Sequence, residues 1–374
     1  MPVCREQDFW IQQSTKECSF ESQYEIGKEL GRGATSCVFK CQRRGLPKTW
    51  AVKVLLKNTH RRVAKADIGV LLGLDHKNLV RFKEVFESKS RIFIVQELVT
   101  GGELFERVVN IGEYSEAVAA KAVKDIIAGI GYLHRCGYVH RNLKPENLLY
   151  ENLSEDSPLK IADFAQSSVL STEVDMSSVC GSPGYAAPEL LKGERFGSAI
   201  DMWAIGIITY ILLSGLEPFT CENPSELFKK ILKGQYEFTS PEWDEIGVNG
   251  KDFIRKLLVV DPNKRLSAEA ACRNCWVIGM GASATPLHEV ASRIKTFNEQ
   301  QKSKGPGLEV CSTPHSRAVS RAGPPREMSP LPGVDLHELA AALPDAGDKD
   351  RENSPSLLPS EVEIVEPDTD GSGI

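Results

Sequence analysis

From Met202 to Leu213 the chain is apolar all the way round a helical wheel, with no polar stripe to face water. Such a helix is stable only where neighbours cover every side of it, so the pattern predicts a helix buried through the middle of a large lobe. The longest apolar run, Ala204 to Leu213, is too short to cross a hydrocarbon core of about 30 Å. The first residues show no basic-then-apolar leader pattern. The expectation is an intracellular protein without membrane contact, cytoplasmic first and nuclear second. With 374 residues, 41% of them hydrophobic, the chain can bury that lobe and a smaller one beside it.

Apolar residues are dense from Tyr24 to Met280, and their periodicity passes from mostly strand-like to helical along the chain. Tyr24–Leu30, Cys37–Gln42 and Trp50–Leu55 alternate or run β-branched and aromatic, separated by glycine-containing turns, which predicts an antiparallel three-stranded meander. Val63–Leu72 has helical spacing, with Ile68, Leu71 and Leu72 on one face, and Arg91–Leu98 returns to strand character. After Gly101-Gly102 the pattern turns helical, at Ala117–Leu133, Ile200–Leu213, Leu227–Leu232 and Lys251–Leu258. Gly305–Ile374 holds no aromatic residue and ten of the 21 prolines, a composition that cannot bury enough surface to fold.

Charge and cysteine usage exclude several classes. The net charge is -6, and Pro344–Ile374 alone accounts for -7, leaving the remainder at +1. No basic face exists for nucleic acid, so none is expected as a partner. The ten cysteines are scattered, and Cys272 and Cys275 have no second close pair to complete a zinc site, so reduced thiols are expected.

Three segments carry chemistry. Gly31-Arg32-Gly33-Ala34-Thr35-Ser36-Cys37-Val38 lies between two strands, where glycines let backbone approach phosphate oxygens and Val38 can cover a base. Dinucleotide and Walker loops both need a helix immediately afterwards, and here a strand follows. Lys53 stands inside the apolar strand Trp50-Ala51-Val52-Lys53-Val54, where an unpaired ammonium would be costly, so it needs an anion such as a nucleotide phosphate. Tyr138-Val139-His140-Arg141-Asn142-Leu143-Lys144-Pro145-Glu146-Asn147-Leu148-Leu149 sets polar groups between apolar anchors, and Ile161-Ala162-Asp163-Phe164-Ala165 follows. Asn147 and Asp163 offer hard oxygen donors suited to Mg²⁺.

Together with Ala187-Pro188-Glu189 and Asp201-Met202-Trp203, these segments occur in the order and spacing of protein kinases. Over roughly Tyr24–Phe297 the chain resembles the calcium/calmodulin-dependent protein kinases, type IV above all, through Glu97-Leu98-Val99-Thr100-Gly101-Gly102-Glu103-Leu104-Phe105 and Cys180-Gly181-Ser182-Pro183-Gly184-Tyr185. The resemblance implies an α+β, bilobal protein kinase fold. Its parts would be a small antiparallel-sheet lobe with one main helix (24–100), a mostly helical lobe (101–276), a helical autoinhibitory-like segment (277–304) and a disordered tail (305–374), after an extension of 23 residues.

It also implies roles. Lys53 would hold the α- and β-phosphates of ATP, Glu97 and Val99 would meet adenine, and Asn147 and Asp163 would bind Mg²⁺. Leu30, Gly31, Arg32, Gly33, Ala34, Val38, Ala51 and Leu149 would complete the nucleotide pocket, and Lys144 would stand beside the reacting groups. Glu103 and Glu146 match positions that select a basic residue upstream of the target Ser or Thr. Ser178 falls at the activating phosphosite, within reach of an upstream kinase, and Arg141 would pair with a phosphate there.

Three departures stand out. The aspartate that accepts the substrate hydroxyl's proton is Asn142, a near-isosteric amide without usable basicity. Losing general-base assistance costs about 10²–10⁴-fold, or roughly 3–5 kcal/mol of barrier. The glycine of Asp-Phe-Gly is Ala165, and the helix carboxylate that pairs with Lys53 is Asp67, whose reach is shorter than a glutamate's by about 1.5 Å.

Downstream, Leu287, Val290, Ile294 and Phe297 form one apolar stripe on a helix that Gly305-Pro306-Gly307 must end. The basic amphipathic extension expected of a calmodulin target is missing, so packing on the large lobe is the expectation ahead of calmodulin binding. In the tail, Thr313-Pro314, Ser329-Pro330 and Ser354-Pro355 are proline-directed phosphosite candidates, and Asp335–Leu343 has helical spacing. The leading expectation is an ATP- and Mg²⁺-binding protein with impaired or lost transfer, acting on a partner as regulator or scaffold. The alternatives are an active Ser/Thr kinase acting on basic-context protein substrates and an interaction module with an empty cleft.

Overall fold

The computed structural model describes residues 11, 14–15, 18–33, 36–57, 72–111, 114–163, 168–169 and 183–303. Five antiparallel strands form the first sheet: β1 (Tyr24–Arg32), β2 (Ser36–Arg43), β3 (Thr49–Leu56), β4 (Phe82–Glu87) and β5 (Arg91–Gln96), in the order β1-β2-β3-β5-β4. The expected meander is its first half. Cys37, Phe39 and Cys41 of β2 are buried in strict alternation, the period-2 pattern of a strand with one covered face. β1 runs beyond Leu30, because Gly31 and Arg32 still pair with Val38 and Cys37 after two register irregularities. Phe20, at the start of a short helix (Phe20–Gln23), stacks on Tyr24 at 5.3 Å and on Phe93 at 4.7 Å between ring centroids.

The second lobe is helical, as its spacing predicts. Ala199–Ser214 is buried along almost its whole length, and its two aliphatic hydroxyls are satisfied within the helix, Thr209 Oγ1 donating to Ile205 O and Ser214 Oγ to Tyr210 O. That internal pairing lets a helix with polar atoms be covered on all sides. Gly215 ends it at φ 76°, and a Cβ there would come within 2.4 Å of Arg293 Cβ, so the position demands glycine twice over. The expected helices at Ala117–Leu133, Leu227–Leu232 and Lys251–Leu258 appear as Glu116–Arg135, Pro224–Lys233 and Val248–Leu257. Short strand pairs complete the lobe: β6 (Tyr138–Val139) with β9 (Ser168–Val169), and β7 (Leu148–Tyr150) with β8 (Leu159–Ile161).

Two expectations change or fall outside. Leu287 is buried with Val290, Ile294 and Phe297, but it precedes the helix Val290–Ser303. Its N–H is committed to Tyr114 O at 2.7 Å, and the adjoining Pro286 bridges Ser115, which holds this backbone extended. The stripe packs on the large lobe, with Phe297 edge-on to Phe105 at 5.7 Å. The helix expected at Val63–Leu72 lies outside the described residues apart from Leu72, and the tail lies outside entirely. Among the described residues no helix is long and apolar enough to cross a membrane.

Glu116 is fully buried and ties three segments together, accepting from Gly247 N at 2.8 Å and from the Trp276 indole N–H at 2.9 Å. Glu116→Ala is expected to strand both donors and to cost at least about 1–3 kcal/mol, read as a lowered urea midpoint at unchanged slope.

Candidate active site

The segment Tyr138–Leu149 is pinned by Asp201, the one carboxylate at the start of the buried helix. It accepts the backbone N–H groups of His140 and Arg141, each at 2.9 Å, and lies 2.8 Å from His134 Nε2. Burial alone would raise its pKa, but the His134 hydrogen bond and charge and the His140 N–H outweigh this and hold it below the ordinary value. These bonds allow Arg141 to take φ 71°, a strained conformation for a non-glycine residue. Burial lowers the His140 pKa and keeps the ring neutral. Its Nε2 then donates to Ala162 O at 3.1 Å, and Nδ1 accepts from Asn142 N at 3.3 Å.

Asn147 links the two chemistry-bearing segments. Its Nδ2 donates to Asn142 O at 2.7 Å, and its own carbonyl accepts from Ala162 N at 2.8 Å, one residue before Asp163. With the amide nitrogen engaged, Asn147 Oδ1 is the face left for a cation. Asp163 adopts φ 61° and its Oδ1 pairs with Lys53 Nζ. Lys53 is 7% exposed, so the anion that an apolar strand requires of it is here a carboxylate.

On the sheet, Val38 faces Gly31 on one side and Lys53 on the other, forming one cross-strand row. A Cβ at Gly31 would meet nothing within 4 Å, so the space in front of this backbone is open. Gly33 N–H closes the turn onto Ser36 O at 2.8 Å. Ala51 is buried opposite Gln96, Arg32 pairs with Glu29, and Leu30 is 48% exposed. Glu97 carries its carboxylate 2.7 Å from Lys160, while Val99 and Leu149 pack against the core. An open glycine backbone, a buried ammonium and two hard oxygen donors fit a nucleotide triphosphate with Mg²⁺.

Glu103 bridges Leu149 through its backbone and is partly buried, whereas Glu146 is exposed on the short turn Pro145–Asn147 begun by Lys144. Burial, then the charges of Glu106 and Glu146, push Glu103 up to about 7, while Lys302 and Lys144 pull it back. Lys302 comes from the helix Val290–Ser303 and meets Glu106 at 2.9 Å. Ala34, Asp67, Ala165 and Ser178 lie outside the described residues.

Sequence reasoning missed the work of Asp201, Glu116 and the pair Glu189–Arg265. A lone carboxylate opening an otherwise apolar helix was a usable signal for the first. Glu189 lies in the motif Ala187-Pro188-Glu189, but nothing local shows its partner Arg265, 76 residues away, or the partners of Glu116, 131 and 160 residues away.

A glycine-edged five-stranded sheet over a helical lobe, with lysine, asparagine and aspartate converging between them, defines a protein kinase, and the protein kinase domain family matches residues 24–277. Human calcium/calmodulin-dependent protein kinase type IV is 45% identical over 345 residues, covering 90% of this chain and 73% of the relative. The rat type IV protein is 47% identical over 298 residues, 79% of this chain and 63% of the relative. Rat calcium/calmodulin-dependent protein kinase type 1B is 43% identical over 275 residues, 73% and 79% respectively. The chain belongs to the calcium/calmodulin-dependent protein kinase family.

Proposed function

We propose that the chain binds ATP with Mg²⁺, that its Ser/Thr phosphoryl transfer is impaired or lost, and that it acts on a protein partner as a regulator or scaffold. The observation that carries this is Asn142, held by His140 and Asn147 where the base would stand, in a cleft whose other described polar groups suit a nucleotide. When bound, Mg²⁺-ATP supplies the transferable phosphoryl group and the charge that neutralises it. Lys53 would hold phosphate oxygens, Asn147 Oδ1 and the Asp163 carboxylate would hold the cation, and backbone of the Glu97–Val99 segment would orient the base. Asn142 can orient a substrate hydroxyl by hydrogen bonding, but its amide cannot take the proton. Asp67 and Ala165 bear on the same site from the sequence alone.

The test is a thermal shift with Mg²⁺-ATP beside single-turnover phosphorylation of a basic Ser/Thr peptide. A shift with little or no transfer supports the proposal. Transfer at rates ordinary for kinases, about 1–100 s⁻¹, makes the chain an active Ser/Thr kinase instead, and the absence of any shift makes it an interaction module.

Partner choice follows from the acidic groups at the mouth of the cleft. A basic segment would meet Glu103 and Glu146, as substrate or as regulated partner, and an upstream kinase acting on Ser178 and calmodulin are further candidates. Cytoplasm or nucleus suits these roles. With Glu103 titrating near 7, its counter-charge is full above that pH, and its stabilising contribution to the fold is full below the unfolded carboxyl value and lost as pH rises through 7. Affinity for an arginine-containing peptide is therefore expected to tighten about fivefold or more from pH 6 to pH 8, and to lose most of that slope in Glu103→Gln. A flat profile in the natural chain would remove Glu103 from the peptide site.

A further inference from the structure

The family match begins at residue 24, yet chain ahead of it is built into the core. Ile11 is 2% exposed and Ser14 7%. Thr15 donates its N–H to Val85 O at 2.7 Å and bridges Phe86 in parallel. β4 is an edge strand, so this short segment covers part of an otherwise open row of backbone groups. Ile11 N–H donates to Glu87 Oε1 at 2.7 Å, and Ser14 Oγ secures the turn by donating to Ile11 O at 2.8 Å. The second oxygen of Glu87 meets Lys57 Nζ at 2.7 Å, with both side chains almost fully enclosed.

Lys57 directly follows β3. Along that strand Ala51, Lys53, Leu55 and Lys57 alternate onto one face, and all four are buried. The residue that Ile11 reaches through Glu87 is thus two pleats from Lys53 on the same face of a stiff element. A buried carboxylate that loses one donor must draw on its remaining partners or on water, either of which moves Lys57 and the end of β4.

We propose that Ile11, Ser14 and Thr15 belong to a strap whose seat on β4, relayed through Glu87 and Lys57, positions Lys53 for the nucleotide, making Glu87 a positioning residue. This rests on the nucleotide-binding reading above. The strap predicts that its own loosening weakens Mg²⁺-ATP binding and frees the β3 backbone beyond the faster exchange that general destabilisation produces.

The experiment uses full-length Ile11→Ala, Thr15→Pro and Glu87→Gln chains, with Ile11→Val as the conservative variant and Glu116→Gln as a remote destabilised control. Calorimetry gives the Mg²⁺-ATP dissociation constant, and hydrogen exchange without nucleotide gives protection at Val52 and Lys53. The three strap and relay variants are expected to weaken binding about fivefold or more and to raise exchange at those amides about tenfold beyond the rise that lost global stability alone produces, a baseline that Glu116→Gln sets, while Ile11→Val leaves both near natural values and Glu116→Gln leaves binding near its natural value. Unchanged exchange in Ile11→Ala and Thr15→Pro overturns the strap. Should Thr15→Pro fail to fold, Ile11→Ala decides. Absence of nucleotide heat in the natural chain sinks the nucleotide reading, and the exchange data then still decide whether the strap holds β3.

Discussion

Asn142→Asp is expected to raise the single-turnover rate of phosphoryl transfer to a basic Ser/Thr peptide by about 10²–10⁴, with Mg²⁺-ATP affinity unchanged. The substitution alters little besides basicity. Asn142 is held through its main chain, its N–H to His140 Nδ1 and its carbonyl from Asn147 Nδ2, so a carboxylate inherits the same placement. Transfer in the variant with none in the natural chain would identify the missing base as the lesion. Equal rates in both would show that Asn142 does not limit transfer. No transfer in either, with nucleotide bound in both, would move the lesion to Ala165 or Asp67.

The second large effect is structural. Glu189 and Arg265 form a bidentate pair at 2.7 and 2.9 Å, their side chains 2% and 0% exposed, and the guanidinium also reaches the carbonyls of Ala199, Val259 and Val260. Arg265 therefore clamps the short helix Pro188–Leu191, which carries Glu189, to the first residue of the buried helix. Glu189→Ala leaves a guanidinium buried without its counter-charge and is expected to cost about 3–5 kcal/mol in urea unfolding. The exposed pair Arg273–Glu269, at a similar distance, should contribute little when broken in the same way, because water screens it. A small effect at Glu189 would mean that the lobe relaxes enough to admit water to Arg265.

How far the sequence alone carries can be judged from particular elements. The all-apolar run predicted a buried helix because no other environment satisfies it, and Ala199–Ser214 is that helix. Strand alternation located β2 and β3 for the same local reason, and the neighbours of Asn142 in the chain are what lead it to be expected where a base would stand. Geometry between distant residues was not legible. Lys53 required an anion, but only the fold shows Asp163 in that role, 110 residues away. Leu287 fits a helical stripe by spacing, and its backbone pairing with Tyr114 overrides that spacing. Ile11 looked like part of an extension and is instead core, because β4 has an open edge that only the assembled sheet creates. Periodicity and residue chemistry are short-range properties and were readable in one dimension. Which buried charge meets which partner depends on chain segments brought together by burial, and only the tertiary structure decides it.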